Sequence, residues 1–435
     1  MTHAAVILAA GLGTRMRSPR PKAMHPIAGR PMIRHLLQSV EARFGRIVVV
    51  VGPDMPELEA AVAPHAVAVQ RERLGTAHAA LQAGPQLGGH DGDVAILYGD
   101  NPLISEATLA RLQAARTEAD LVLLAMRPAD PGRYGRVVTR ADGMVERVVE
   151  WADATEDERA IGLCNAGVVC ARGPDLFRWL AAVRNDNAKG EYYLTDVVAL
   201  ARAEGRSVRA VEAPEAELRG INSKAELAGA EAEVQAALRA AALDAGVTMI
   251  APETVFLSWD TRLGADTVIE PNVFFGPGVT VEEGALIHSF SHLTQCIVRR
   301  HAEIGPFARL RPGAVIEPRA HVGNFVELKA TTLGEGAKAN HLSYLGDATI
   351  GAGANIGAGT ITCNYDGVKK HRTEIGEGAF IGSDTSLVAP VKVGARALIG
   401  AGSVITTNVP DDALAIARGR QAVFEGRGFK GKKGK

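Results

Sequence analysis

Ile304-Gly-Pro-Phe-Ala-Arg-Leu310-Arg-Pro-Gly-Ala-Val-Ile316-Glu-Pro-Arg-Ala-His-Val322-Gly-Asn-Phe-Val-Glu-Leu328 carries an aliphatic side chain at every sixth position. The same period runs before it through Leu263, Ile269, Phe275, Val281 and Ile287. After it come Ile350 and Ile356, then Ile375, Ile381, Leu387, Val393, Ile399 and Ile405. Many of these residues precede glycine, as in Ile304-Gly305, Val322-Gly323, Ile356-Gly357 and Ile399-Gly400. A hexapeptide repeat puts one aliphatic side chain per short strand inside a prism of β-coils, each coil stacking on the next to bury the column. The spacing predicts a parallel β-helix for 246–425.

The register breaks in two places. Thr362 to Ile375 spans thirteen residues, and the excess, Asn364-Tyr-Asp-Gly-Val-Lys-Lys-His-Arg372, is polar with a turn-forming Asp-Gly pair. It should project as a loop, where binding residues concentrate on regular scaffolds. The period also slips around Ala339-Asn-His-Leu-Ser-Tyr-Leu-Gly346. The Gly- and Lys-rich 426–435 is expected to be a disordered basic tail.

Residues 1–222 follow a different grammar. Short apolar runs, Ala4–Ala10, Ile47–Val51, Val94–Tyr98 and Leu121–Ala125, alternate with helical stretches. Near-continuous apolar strands between helices predict a parallel sheet buried on both faces, an α/β nucleotide-binding, Rossmann-like fold. Between the two halves, 223–245 is dense in Ala, Glu, Leu and Arg and reads as a linker helix.

The chain has 435 residues, of which 22% are charged, with a formal net charge of −1. No nucleic-acid partner follows from that balance, and small phosphorylated ligands bound by local cations fit it better. No apolar run is long enough to span a bilayer, so a membrane is not expected as a partner and the protein is read as soluble and cytoplasmic. The four cysteines, Cys164, Cys170, Cys296 and Cys363, match no disulfide framework or metal spacing and are read as reduced thiols.

The first strand runs into Gly11-Leu-Gly13-Thr-Arg15-Met, with Pro21-Lys22 close behind. The two glycines let backbone N–H groups approach a polyphosphate, while Arg15 and Lys22 supply positive charge. The loop lacks the Walker A ending and the third glycine of the dinucleotide fingerprint. Leu8-Ala-Ala-Gly-Leu-Gly-Thr-Arg-Met16 with Pro21-Lys22 resembles the signature of sugar-1-phosphate nucleotidyltransferases. Leu74-Gly-Thr-Ala77, Leu97-Tyr-Gly-Asp100, Tyr134-Gly-Arg136, Gly190-Glu-Tyr-Tyr193 and Gly220-Ile-Asn222 match in the same way. The resemblance implies uridylyl transfer from UTP to N-acetylglucosamine-1-phosphate. Asp100 and Asn222 would hold Mg²⁺, while Arg15 and Lys22 clamp the triphosphate as catalytic cations. Leu8, Ala9, Ala10, Gly11, Tyr98 and Gly99 would line the nucleotide site. Gln70, Gly75 and Thr76 would read uracil, and Gly135, Glu150 and Asn165 would hold the sugar. The chain departs from the pattern at Leu12, where Lys is common, at Ala166, where Thr is usual, and at Trp151-Ala152, where a His-Lys pair can occur.

The second half, over roughly 250–425, is similar to the acetyltransferase half of the bacterial bifunctional enzymes that make UDP-N-acetylglucosamine. Arg309-Leu-Arg311-Pro-Gly313, Asn324-Phe-Val-Glu-Leu-Lys329, Ala339–Gly346, Asn355-Ile-Gly-Ala-Gly359 and Cys363-Asn-Tyr-Asp-Gly367 carry the likeness. It implies a left-handed β-helix, a homotrimer, and acetyl-CoA-dependent N-acetylation of glucosamine-1-phosphate. Arg311 and Lys329 would bind the substrate phosphate, and Tyr344 and Asn355 the sugar. The acetyl-CoA groove would be formed by Ala358, Asn364, Tyr365, Ser383, Ala401 and Arg418, with Asn364-Tyr365 closing the site. Removing a proton from an ammonium calls for a base that works near neutrality, and His341 takes that role. Cys363 has no thiolate-activating pattern around it and is not expected to be a nucleophile. Two other readings stay open: a nucleotidyltransferase whose β-helix only trimerises it, and an assembly subunit that has lost catalysis.

Overall fold

The computed structural model describes residues 3–425 together with 427 and 428. The rest of the stretch expected to be a basic tail lies outside the described residues. The chain forms two compact units, Met1–Val234 and Gln235–Lys435.

The first unit is built on one sheet. Its strands are β1 (Ala4–Leu8), β2 (Arg46–Val51), β3 (Ala66–Val69), β4 (Asp93–Tyr98), β5 (Leu121–Met126), β6 (Arg136–Thr139), β7 (Val145–Val149), β8 (Cys164–Arg172) and β9 (Val208–Glu212). The spatial order is β9-β5-β8-β4-β1-β2-β3, with β6 and β7 forming a hairpin joined to β8. β1 lies parallel to both β2 and β4, and β5 parallel to β9. The expected all-parallel sheet needs one correction, because β8 is antiparallel to β4 and to β5. An apolar run buried on both faces reads the same in either direction, so its composition carries no sense of polarity. Alternate residues of β1 feed two cores, Ala4 and Val6 on one face, Ala5 and Ile7 on the other. Helix α1 (Met32–Glu41) turns Ile33, Leu36, Leu37 and Val40 into the second core, a helical period on one stripe.

Helix α2 (Thr76–Leu81) follows the Gly75 turn, and α3 (Asp196–Ala203) packs against β7. The Ala- and Glu-rich stretch is a single helix, α4 (Lys224–Asp244).

In the second unit, short parallel strands stack in three sheets of ten, eight and eight strands among the described residues. The hexapeptide positions become three vertical columns. One runs through Ile269, Ile287, Ile304, Val322, Ala339, Ile356, Ile381 and Ile399. A second joins Val281, Val298, Ile316, Leu333, Ile350, Ile375 and Val393. The third carries Phe275, Leu293, Leu310, Leu328 and Leu345. This three-sided prism is the hexapeptide β-helix expected. Where Thr362 stands below Leu387 in the third sheet, its hydroxyl donates to Gly346 O at 3.0 Å and accepts from Gly346 N at 2.7 Å, so the buried oxygen is satisfied. The corners are tight enough that non-glycine residues adopt left-handed conformations. Phe290, Phe307 and Phe325 have φ of 63°, 55° and 55°, and their exposed rings stack at 4.9 and 5.1 Å.

Candidate active sites

β1 ends at Leu8, where the chain leaves the sheet. Ala9 N donates to Val50 O at 2.7 Å, and Gly99 N, just past β4, donates to Leu8 O at 2.9 Å. These bonds hold the glycine loop and the Tyr98-Gly-Asp100 turn side by side at the carboxyl ends of adjacent strands, the usual site for ligands in open α/β sheets. Gly13 has φ 64°, and a Cβ there would lie 2.7 Å from Lys22 Cβ, so the glycine is what lets Lys22 fold over the loop. Gly75, at φ 118°, would collide with the Tyr192 backbone if it bore a side chain.

One cavity is lined by Leu8, Ala9, Ala10, Gly11, Lys22, Gln70, Gly75, Thr76, Tyr98, Gly99 and Asp100. A second holds Arg15, Gly135, Glu150, Asn165 and Asn222, and shares Thr76, Tyr98 and Asp100 with the first. All the residues expected to take nucleotide and sugar therefore line two adjoining hollows. At their junction the Lys22 ammonium donates to the Asp100 carboxylate and, at 3.0 Å, to Asn222 Oδ1. Arg15 Nη2 donates to the same amide oxygen at 2.9 Å. Gln70 Nε2 donates to Gly75 O at 3.1 Å, which leaves its carbonyl end for a ligand.

In the second hollow, Asn165 N donates to Gly135 O at 2.8 Å and its side-chain oxygen accepts from Gly167 N at 3.1 Å. Glu150 accepts from Thr195 Oγ1 at 3.2 Å, and burial pushes its carboxyl up. Asp196, at the start of α3, is pushed up to about 6 by burial first and then by the charges of Glu150 and Asp153. Burial likewise drives the Tyr98 phenol upward.

In the β-helix, His341 Nδ1 lies 2.9 Å from Asn324 Oδ1. Arg311 Nη1 donates to Glu327 Oε1 at 2.8 Å. Tyr344 and Asn355 begin strands in the third and first sheets, in register with Glu327 and Lys338. The projecting loop is ordered by an Asp366 turn, whose carboxylate accepts from Val368 N at 2.7 Å and Lys369 N at 2.6 Å. Tyr365 OH donates to Gly367 O at 2.6 Å, and the Asn364 amide donates to Asp347. Ala358, Ser383, Ala401 and Arg418 form a ladder along successive coils: Asp384 N donates to Ala358 O at 2.7 Å, Gly402 N donates to Ser383 O at 2.8 Å, and the Arg418 guanidinium donates to Ala401 O. Among the described residues no hydrogen bond joins His341 to Arg311, Lys329, Tyr344 or Asn355.

Residues 5–204 match the MobA-like NTP transferase domain, and 372–407 match the bacterial transferase hexapeptide (six repeats). The bifunctional protein GlmU of Gluconacetobacter diazotrophicus is 66% identical over 430 residues, 98% of this chain and 93% of that protein. That of Acidiphilium cryptum is 63% identical over 429 residues, 98% of each chain. That of Granulibacter bethesdensis is 65% identical over 422 residues, covering 96% and 93%. The chain belongs to the GlmU family. It is a bifunctional transferase, with a uridylyltransferase and an N-acetyltransferase activity in one polypeptide.

Against the GlmU-type pattern, the three departures have distinct surroundings. Leu12 is exposed beside Pro21 and Pro53, whereas Ala166 is buried against the second hollow. Two guanidiniums lie over the Trp151 ring, Arg133 at 5.1 Å and Arg159 at 4.5 Å from its centre.

Four residues given no role from the sequence also belong to these sites. Arg73 donates through Nε to Ala10 O at 3.0 Å and lines the first hollow. Glu191 lines both hollows. Tyr193 is buried with its hydroxyl unpartnered against the second hollow, which the tyrosine pair of the Gly190–Tyr193 motif could have signalled. Lys370 lies against Lys329 and depresses that ammonium's pKa, so two cations crowd together with Arg311 nearby. The break in the period marked the loop that carries Lys370 but not this residue within it. Cys170 and Cys296 are buried and pushed up to about 12, which keeps them as thiols.

Proposed function

We propose that this chain acetylates glucosamine-1-phosphate with acetyl-CoA in its β-helix and then converts the product, with UTP and Mg²⁺, to UDP-N-acetylglucosamine and pyrophosphate in its α/β unit. The boundaries assigned to this division are 1–222, the 223–245 linker and 246–425. The reading rests above all on the two adjoining hollows that share Thr76, Tyr98 and Asp100 and contain the whole expected nucleotide and sugar set.

In uridylyl transfer two anions must meet, so neutralising charge is the central task. Arg15 and Lys22 bear on the triphosphate, and losing one such donor typically costs about 3–4 kcal/mol of transition-state stabilisation. Among the described residues no cluster of three His, Cys, Asp or Glu side chains could cage a metal. Mg²⁺ is usually held by one or two protein oxygens plus substrate phosphates, and the Asp100 carboxylate with the Asn222 amide oxygen fits that pattern, since both already converge on one cation, the Lys22 ammonium. When bound, the metal would neutralise and orient the triphosphate. Gln70, Gly75 and Thr76 read the base, and Gly135, Glu150 and Asn165 take the sugar hydroxyls and amide.

In acetyl transfer the phosphate is met by Arg311 and Lys329, charge-assisted donors that Lys370 reinforces. His341 takes the proton from the amine, and Tyr344 and Asn355 hold the sugar. Asn364-Tyr365 on the ordered loop and the Ala358–Arg418 ladder receive acetyl-CoA. Positioning amine against thioester supplies about 7–11 kcal/mol without an acyl-enzyme. The stacked hexapeptide coils of the second unit fit an assembly into a homotrimer. No helix among the described residues is long and apolar enough to cross a membrane, and the cysteines are unpaired, which fits a cytoplasmic enzyme.

The test omits glucosamine-1-phosphate, acetyl-CoA, UTP and Mg²⁺ in turn while following free thiol and pyrophosphate. Thiol release should need only the first two. Pyrophosphate release should need all four, or N-acetylglucosamine-1-phosphate with UTP and Mg²⁺. Pyrophosphate from the acetylated sugar without any thiol release would reduce the β-helix to an assembly module.

A further inference from the structure

Asn324 ends the strand His321–Asn324 and His341 ends the strand Lys338–His341 of the next coil, and the two are register partners in the parallel ladder. Their side chains therefore leave the same corner of the prism, one above the other. Both backbones are fixed there: Leu342 N donates to Asn324 O at 3.1 Å, and Ser343 Oγ donates to His341 O at 2.9 Å. The next residue, Phe325, is held in a left-handed corner with its ring stacked on Phe307 at 5.1 Å, so the half-buried Asn324 has little freedom to drift. Its Oδ1 lies 2.9 Å from His341 Nδ1.

A carboxamide oxygen has no proton to give, so the contact requires one on Nδ1. A neutral imidazole protonated at Nδ1 presents a bare lone pair at Nε2, the form a base needs. Of the neighbouring titratable groups, Lys338 lies on the same strand and His321 on the strand below, with Glu303 and His288 beyond it. The strand above, Asn355–Ile356, contributes none. Among the described residues Asn324 is the one side chain hydrogen-bonded to the imidazole.

We infer that Asn324 is a positioning residue for acetyl transfer, locking His341 in the Nδ1–H tautomer so that Nε2 receives the amine proton. The inference rests on His341 being the base. In the step, the amine nitrogen bonds to the thioester carbonyl carbon, the carbon–sulfur bond breaks, and the proton taken by Nε2 passes to the departing thiolate. A turned-over amide would instead donate to Nδ1, put the proton on Nε2 and block the base.

Imidazole ¹⁵N shifts of the full chain report the tautomer directly, and thiol release against pH reports its consequence. The native protein should show protonated Nδ1 and bare Nε2 at His341. Asn324→Ala should lose that preference and lower kcat about ten- to a hundredfold, with KM for glucosamine-1-phosphate little changed. Asn324→Asp should restore the tautomer and most of kcat. Its carboxylate would stabilise the imidazolium, so the acidic limb of the rate profile should move to higher pH. A native Nε2–H signal overturns the inference, as does an Asn324→Ala protein with unchanged tautomer and pH profile. So does a loss in that variant that appears only as raised KM and lowered Tm. Thiol release persisting in His341→Ala would instead remove the base assignment beneath it.

Discussion

Asp196 stands at the start of α3, and burial first, then the charges of Glu150 and Asp153, push its carboxyl up to about 6 from an unfolded value of 3.8. The folded chain therefore binds this proton more tightly than the unfolded one. The group's stabilising contribution is complete below about pH 4 and is lost as pH rises through about 6. Asn at this position keeps the shape without the charge. Asp196→Asn should raise the urea midpoint of the α/β unit at pH 7.5 and raise it far less near pH 4, and an equal gain at both would contradict the burial account. The gathering of Arg15 and Lys22 at the glycine loop was legible because Gly11, Gly13, Arg15 and Lys22 fall within one short motif. The environment of Asp196 was not legible, since it depends on how residues 150, 153 and 196 meet in space. The same holds for Lys370 beside Lys329, which two separate coils bring together.

At the scale of elements, the period of the β-helix fixes which side chains point inward, and Leu310 sits fully buried between Leu293 and Leu328. A cavity there cannot be filled by neighbours that are themselves held in register, so Leu310→Ala should cost about 2–5 kcal/mol, read as a drop in the urea midpoint of the second unit. A cost well under 1 kcal/mol would mean the coils relax around the gap, against a rigid column. The columns were legible because one residue type recurs at one spacing, and the loop at 364–372 was legible as the break in it. The corners were less so: Phe290, Phe307 and Phe325 take left-handed conformations usually signalled by Gly or Asn. The direction of β8 was hidden because burial on both faces leaves no alternation to read.

For the whole molecule, two grammars along one chain announced two units, strands alternating with helices and then a strict hexapeptide period. They fold on separate cores, and each core presents its own set of site residues. The residues proposed for nucleotide and sugar line adjoining hollows within the first unit. The residues proposed for acetyl transfer lie on successive coils of the second. The central claim is that each unit carries its own chemistry, and the most direct measurement compares thiol and pyrophosphate release in Lys22→Ala and His341→Ala. The account predicts that Lys22→Ala loses pyrophosphate release by about a hundredfold or more with thiol release intact. His341→Ala should lose thiol release while still forming pyrophosphate from N-acetylglucosamine-1-phosphate. Loss of both activities in either variant, with the protein still folded, would contradict two independent sites.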